Sequence, residues 1–199
     1  MKILVIGGNG TIGTPVATKF AEEHEVIIAG RNSGEINIDI ADSSSIRSGL
    51  EQVGKLDAIV CIAGEAKWAA FNDLSEEDYY IGLRSKLMGQ VNLARIGREF
   101  LNNGGSITLS TGILADDPVL MTTSAAMVNG GVHSFVQAAA LEMENGHRIN
   151  VVSLGMVEAA YEKYKGHFPG HNPIPMDVTV NAYVRSVFGT DNGKVLRFY

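Results

Sequence analysis

The chain has 199 residues, 45% of them hydrophobic and 19% charged, which is enough for the core of one ordinary domain and too short for a large second one. Sixteen Lys and Arg stand against 22 Asp and Glu, a formal charge of -6, and no basic block could track a phosphate backbone, so no nucleic-acid partner is expected. No apolar run reaches the roughly 18 residues of a membrane span, no secretory signal is visible, and one cysteine with five scattered histidines gives neither a disulfide nor metal-ligand spacing. The expectation is a cytoplasmic protein with no metal and no membrane partner.

In chain order, "KILVIGG" and "HEVIIAGR" read as buried strands, short Val/Ile-rich runs that stop at glycine, with "TPVATKFAEE" as a helix between them. "EINIDIAD" is a shorter strand, "SSSIRSGLEQVG" a serine-started helix, and "LDAIVCIAG" a strand whose Cys61 is expected to be a buried thiol. "SEEDYYIGLRSKLMGQVNLARIGREFL" reads as one long helix opened by a serine and two acids, and "GSITLSTG" as a strand. "TTSAAMVNGGVHSFVQAAALEME" is helical and rich in small residues, with Gly130 and Gly131 permitting close backbone approach; "RINVVSLG" is a strand. Met156 to Pro175 lacks a clean period and suggests a structured loop with short turns, before a final helix, "MDVTVNAYVRSVFG", and a terminal strand, "GKVLRFY". Strand and helix alternation of this kind predicts an α/β fold over residues 1–199, a doubly wound parallel sheet with helices on both faces.

The first strand runs into Gly8-Asn9-Gly10-Thr11-Ile12-Gly13, a GxGxxG pattern overlapping the series Gly7, Gly10, Gly13. At a strand-to-helix junction such glycines allow a tight turn and bring a pyrophosphate close to a helix N-terminus. The second strand ends in Gly30-Arg31-Asn32, where an NAD site would place a carboxylate. Arg31 could pair with a 2'-phosphate or be a solvated strand-end arginine; Asp39 could meet the adenine edge or cap its own turn. Together these features favour NADP over NAD.

With these motifs in order, the chain resembles the short-chain dehydrogenase/reductase family over essentially its full length: GGNGTIG, AGR, NIDIAD, CIAG, the GQVNLA helix, GSITLSTG, AAALEMENGHRINVVS and GKVLRF. The resemblance implies a single Rossmann-type domain, a nicotinamide cofactor, and a homodimer or homotetramer built through the two long central helices. It implies that Gly7 and Gly13 belong to the pyrophosphate loop, that Asn9 and Thr11 lie near the adenosine ribose or phosphate with Gly10 and Ile12 also on the cofactor, that Asp39 and Ile40 lie beside adenine, and that Ala63 and Gly64 lie on the adenosine side. It puts Ser110 and Thr111 at the family's paired serines and Gly155, Met156 and Val157 in the nicotinamide-side loop. Thr11 replaces a usual glycine, Ile62 the Asn of the NAG signature, Leu154 a proline, and Glu158 a threonine.

The same register puts Ala125 at the family's catalytic tyrosine and Asn129 at its catalytic lysine, so the Tyr-x-x-x-Lys pair is absent. Alanine cannot donate a proton and asparagine cannot supply a positive field. Lys86 occupies a position where the family often carries an asparagine, so lysine and asparagine could have exchanged helices; the alternative is a surface lysine on an amphipathic helix. Tyr161 and Tyr164 are candidate substitute donors, or packed aromatics. The leading expectation is an NADP-dependent oxidoreductase acting on a small carbonyl or alcohol substrate, with Ser110, Thr111 and Lys86 as catalytic candidates. The alternative is a catalytically inactive NADP-binding regulatory or interaction protein. A bulky residue at Gly131 is expected to disrupt the oligomer if that face is its interface.

Overall fold

Five of the apolar runs pair side by side at the centre of the molecule, because each is hydrophobic on both faces and must be covered on both. In the computed structural model, which describes residues 1–199, seven parallel strands form one sheet in the order β3-β2-β1-β4-β5-β6-β7. The strands are β1 (Lys2–Ile6), β2 (Glu25–Gly30), β3 (Ile36–Asn37), β4 (Leu56–Cys61), β5 (Leu101–Gly112), β6 (Arg148–Leu154) and β7 (Val195–Phe198). The order reverses at β1, whose neighbours are β2 and β4; in doubly wound sheets this reversal opens a crevice at the carboxyl ends of the strands.

Helices α1 (Gly13–Ala21), α2 (Ser43–Val53), α3 (Glu76–Gly82), α4 (Gly89–Gly97), α5 (Thr123–Ala139), α6 (Glu158–Tyr164) and α7 (Met176–Phe188) cover the sheet. On one face Leu4, Ile6, Ile59, Ile107, Leu109 and Val151 pack under α2, α4 and α5. On the other, Ile3, Val5, Val60 and Val152 pack under α1 and α7, through Val16, Phe20, Val180 and Tyr183. The alternation of odd and even residues between these two cores is the period-2 geometry of a strand buried on both sides. The doubly wound fold expected from the sequence is the fold observed. Cys61 is fully buried, and desolvation pushes its thiol up to about 11.

Three elements differ from the sequence reading. The long helix over 75–101 is broken: α3, opened by a capping box between Ser75 and Asp78, passes into a π-helical turn, Leu83–Met88, before α4 continues. The third strand shrinks to Ile36–Asn37. The segment expected to be loop contains α6 and a short 3-10 turn, Lys165–His167, and a bridge between Val157 and Ile174 closes the excursion. Its aromatics satisfy a local cluster rather than the main core, so no long-period apolar face could be read from sequence.

Gly131 packs against its own chain. A Cβ there would lie 3.1 Å from Leu87 of the same chain, so its small size serves packing of α5 on the π turn. Gly130, by contrast, faces open space. No helix is long and apolar enough to cross a membrane.

Candidate active site

The turn after β1 is built from glycines because side chains would not fit. Gly7 has φ +82, and a Cβ on it would lie 2.4 Å from the Ile62 carbonyl oxygen; one on Gly13 would lie 2.0 Å from the Gly7 oxygen. The chain is thus folded tightly onto itself while Asn9, Gly10 and Thr11 remain exposed. Helix α1 starts immediately afterwards with Ile12 at its N-cap and no side-chain cap on its first amides. An uncapped N-terminus behind an exposed glycine turn suits an anion such as a pyrophosphate.

Two cavities open at the carboxyl ends of the strands, on either side of Ala63 and Gly64, which line both. The first, of about 350 Å³, is polar. It holds Arg31, Asn32, Asp39 and Ile40, expected around the adenosine end, together with Gly7 of the pyrophosphate turn, and adds Ser33, Glu65 and Ser85, which the sequence reading did not single out. The Asp39 carboxylate accepts a hydrogen bond from the Ala41 amide at 3.0 Å, so it caps its own turn while facing the cavity. Arg31 forms an ion pair with Glu65 at 3.4 Å.

The second cavity, of about 290 Å³, is mostly apolar. It brings together Lys86, Ser110, Thr111, Gly155, Met156 and Val157, expected on the nicotinamide side, and the candidate donor Tyr164, with Ile12 of the glycine turn and with Trp68, Phe168 and Tyr183. Trp68 packs against Tyr164 and Phe168 at ring separations of 5.7 and 6.4 Å, forming an aromatic wall that only the tertiary fold assembles. Tyr161 packs on the small apolar cluster beneath. Ala125 is buried in that cluster with Ile113, Leu114, Met156 and Phe168, so the place of the family tyrosine is apolar.

Ser110 is held by three independent contacts. Pairing between β4 and β5 ends at Val60 and Thr108, which would leave the Ser110 peptide without ladder partners; the Gln90 side chain replaces them, accepting from the Ser110 amide and donating to its carbonyl, both at 2.9 Å. Its hydroxyl donates to the Cys61 carbonyl and lies 2.9 Å from the Tyr183 hydroxyl. Since a carbonyl can only accept, the single Ser110 hydrogen is spent there and Ser110 accepts from Tyr183. Thr111 has more freedom, because its hydroxyl sits 2.8 Å from His133 Nε2, which gives or takes a hydrogen according to tautomer. Burial lowers the His133 pKa, against the opposing pull of Asp116.

Lys86 does not extend along the surface. It projects from the π turn across Gly64: a Cβ at Gly64 would lie 2.7 Å from Lys86 Cδ, and Gly64 itself has φ +117. No carboxylate acts on its ammonium, and desolvation lowers its pKa from the ordinary 10.5. Its neighbour Ser85 accepts a hydrogen bond from the Glu65 amide at 3.2 Å. The π turn therefore fixes the 63–65 loop by two successive residues, Ser85 on the polar cavity and Lys86 on the apolar one. Asn129 is buried below, a Cβ on Gly112 lying 3.9 Å from its Nδ2. No cluster of His, Cys, Asp or Glu is placed to hold a metal ion.

The geometry fits a dinucleotide laid across the switch at β1, with a glycine cradle that side chains would fill and an unpaired cation beside the second cavity. Comparisons with known proteins agree. A family model described as enoyl-(acyl carrier protein) reductase matches residues 10–189. Acetoacetyl-CoA reductase of Allochromatium vinosum is 26% identical over 184 residues, covering 79% of this chain and 75% of that one. Among solved structures, lin1944 of Listeria innocua is 43% identical with a TM-score of 0.98 and full coverage of both chains. A small-chain dehydrogenase in complex with NADPH is 25% identical with a TM-score of 0.88, covering 100% of this chain and 96% of that one. Sheet order, glycine turn and matched length together make this chain a member of the short-chain dehydrogenase/reductase family of oxidoreductases.

Proposed function

We propose that the protein is an NADP-dependent oxidoreductase acting on a small, largely apolar carbonyl or alcohol. The observation that carries this reading is the pair of adjoining cavities at the β1 switch, the polar one containing Arg31 and the apolar one containing Thr111 and Lys86. A nicotinamide, when bound, supplies or accepts the hydride; the rest falls to the chain. The glycine turn and the first amides of α1 hold the pyrophosphate, and Arg31 with Asn32 meets the 2'-phosphate. Asp39 and Ile40 flank adenine, while Gly155, Met156 and Val157 close the nicotinamide side. Lys86 supplies the positive field that Asn129 cannot, and Thr111, backed by His133, presents a hydroxyl to the substrate oxygen. Ser110, its hydrogen committed to Cys61, positions the end of β5. The aromatic wall of Trp68, Tyr164 and Phe168 excludes water and favours apolar substrates. The protein assembles as a homodimer or homotetramer through α4 and α5, where Gly130 is the open glycine.

A second reading, an NADP-binding regulatory protein without turnover, is favoured by the apolar surroundings of Ala125, which leave no acid in the usual place. The two part on one experiment: NADPH is titrated by calorimetry and then mixed with diacetyl, benzaldehyde and benzil while its absorbance is followed. The first reading expects binding and oxidation of NADPH with at least one of them. Binding with no oxidation favours the second, and no binding overturns both.

A further inference from the structure

The second strand ends without the carboxylate that an NAD site would carry, yet the folded chain brings one to the same place from another strand end. Glu65 follows β4, Arg31 follows β2, and β1 lies between these two strands. Their ion pair therefore spans the switch point over the polar cavity, both side chains lining it, with Arg31 Nη1 3.4 Å from Glu65 Oε1. Glu65 is not free to drift, since its amide is tied to Ser85 of the π turn and Gly64 before it lies under the Lys86 stem.

We infer that Glu65 is a cofactor-specificity residue: an internal competitor that occupies Arg31 and must release it before a 2'-phosphate can bind. This rests on the reading of Arg31 as the 2'-phosphate ligand. A phosphate dianion and a carboxylate cannot both sit against one guanidinium without mutual repulsion, so NADPH binding includes the cost of breaking the pair and turning Glu65 away. NADH, which presents only hydroxyls there, leaves the pair intact. Glu65 thus narrows the preference for NADPH that Arg31 creates.

Both side chains are more than half exposed, with fractions of 57% and 58%, so the pair is screened and its effect is moderate. Glu65→Gln keeps the shape and removes the charge. Calorimetric titration of wild type and Glu65→Gln with NADPH, NADH and 2',5'-ADP should show NADPH and 2',5'-ADP binding about two- to fivefold more tightly to the variant, with NADH unchanged. In an Arg31→Ala background the gain should shrink, because no guanidinium remains to be freed. An unchanged ratio of NADPH to NADH affinity would overturn the inference. So would weaker NADH binding by Glu65→Gln, which would make Glu65 a ribose ligand, or a full gain without Arg31, which would make it a mere repulsive charge. If Arg31→Ala alone weakens NADPH and NADH equally, the underlying assignment of Arg31 fails as well, whereas a loss specific to NADPH with no effect of Glu65→Gln removes Glu65 only.

Discussion

Lys86 owes its position to a residue two elements away. Gly64, in a backbone conformation that L side chains rarely adopt, leaves room for the lysine stem to lie across the end of β4, and the half-buried lysine lines the apolar cavity without a carboxylate partner. An unpaired cation in such a place is costly unless a polar group arrives to meet it. Lys86→Met keeps the stem on Gly64 and removes the charge. NADPH should bind about tenfold more weakly to this variant in calorimetry, the loss of one charge-assisted hydrogen bond, with an unaltered circular dichroism spectrum. Because burial lowers the pKa, wild-type affinity should also decline at a lower alkaline pH than the ordinary lysine value of 10.5 would give. Lys86 and Asn129 drew attention in the sequence because both positions depart from the residues that the family resemblance implies. The contacts of Tyr183, Gln90 and Glu65 were not legible there: each acts on a partner 20 or more positions away, which no local pattern reveals.

At the scale of elements, the C-terminal strand is held by a charge cluster as well as by its pairing with β6. Asp116, at the end of a turn after β5, accepts hydrogen bonds from Arg197 Nε and Nη2 at 2.9 and 3.1 Å and from the Tyr199 hydroxyl, which also lies 2.9 Å from Ser153 Oγ. These donors, Arg197 foremost, pull the Asp116 carboxyl down to about 2. A carboxylate whose folded pKa lies below its unfolded value of 3.8 stabilises the fold above that value and loses the contribution as pH falls toward 2. Asp116→Asn should therefore lower stability at pH 7 by on the order of 1 kcal/mol, a figure reduced for partial exposure. Thermal unfolding across pH should show the gap to wild type closing between about pH 4 and pH 2; a constant gap would assign the loss to geometry instead of charge. "GKVLRFY" announces a strand by its composition, but neither the carboxylate that anchors it nor the π turn within the 75–101 helix has a local signature. A π turn keeps helical composition and differs only by one extra residue per turn, so periodicity reads straight through it.

For the whole molecule, the order of the elements and the doubly wound sheet follow from short Val/Ile runs, glycines at the first junction and the alternation of helices. What sequence could not assemble is the second cavity, whose wall joins Trp68 after β4 with Tyr164 and Phe168 from a segment that reads as loop. That wall also supplies the most direct measurement. Trp68 is the only tryptophan in the chain and lines the cavity assigned to the nicotinamide, so its fluorescence responds most strongly to a nicotinamide bound there. Titration with NADPH, excited at the tryptophan band, should quench Trp68 and give sensitised nicotinamide emission with a saturable midpoint. Adding 2',5'-ADP should reverse both signals, since it takes the polar cavity without reaching Trp68. Saturable NADPH binding by calorimetry with no change in Trp68 emission would contradict the placement of the nicotinamide in the aromatic-walled cavity, and with it the account of this chain as an oxidoreductase.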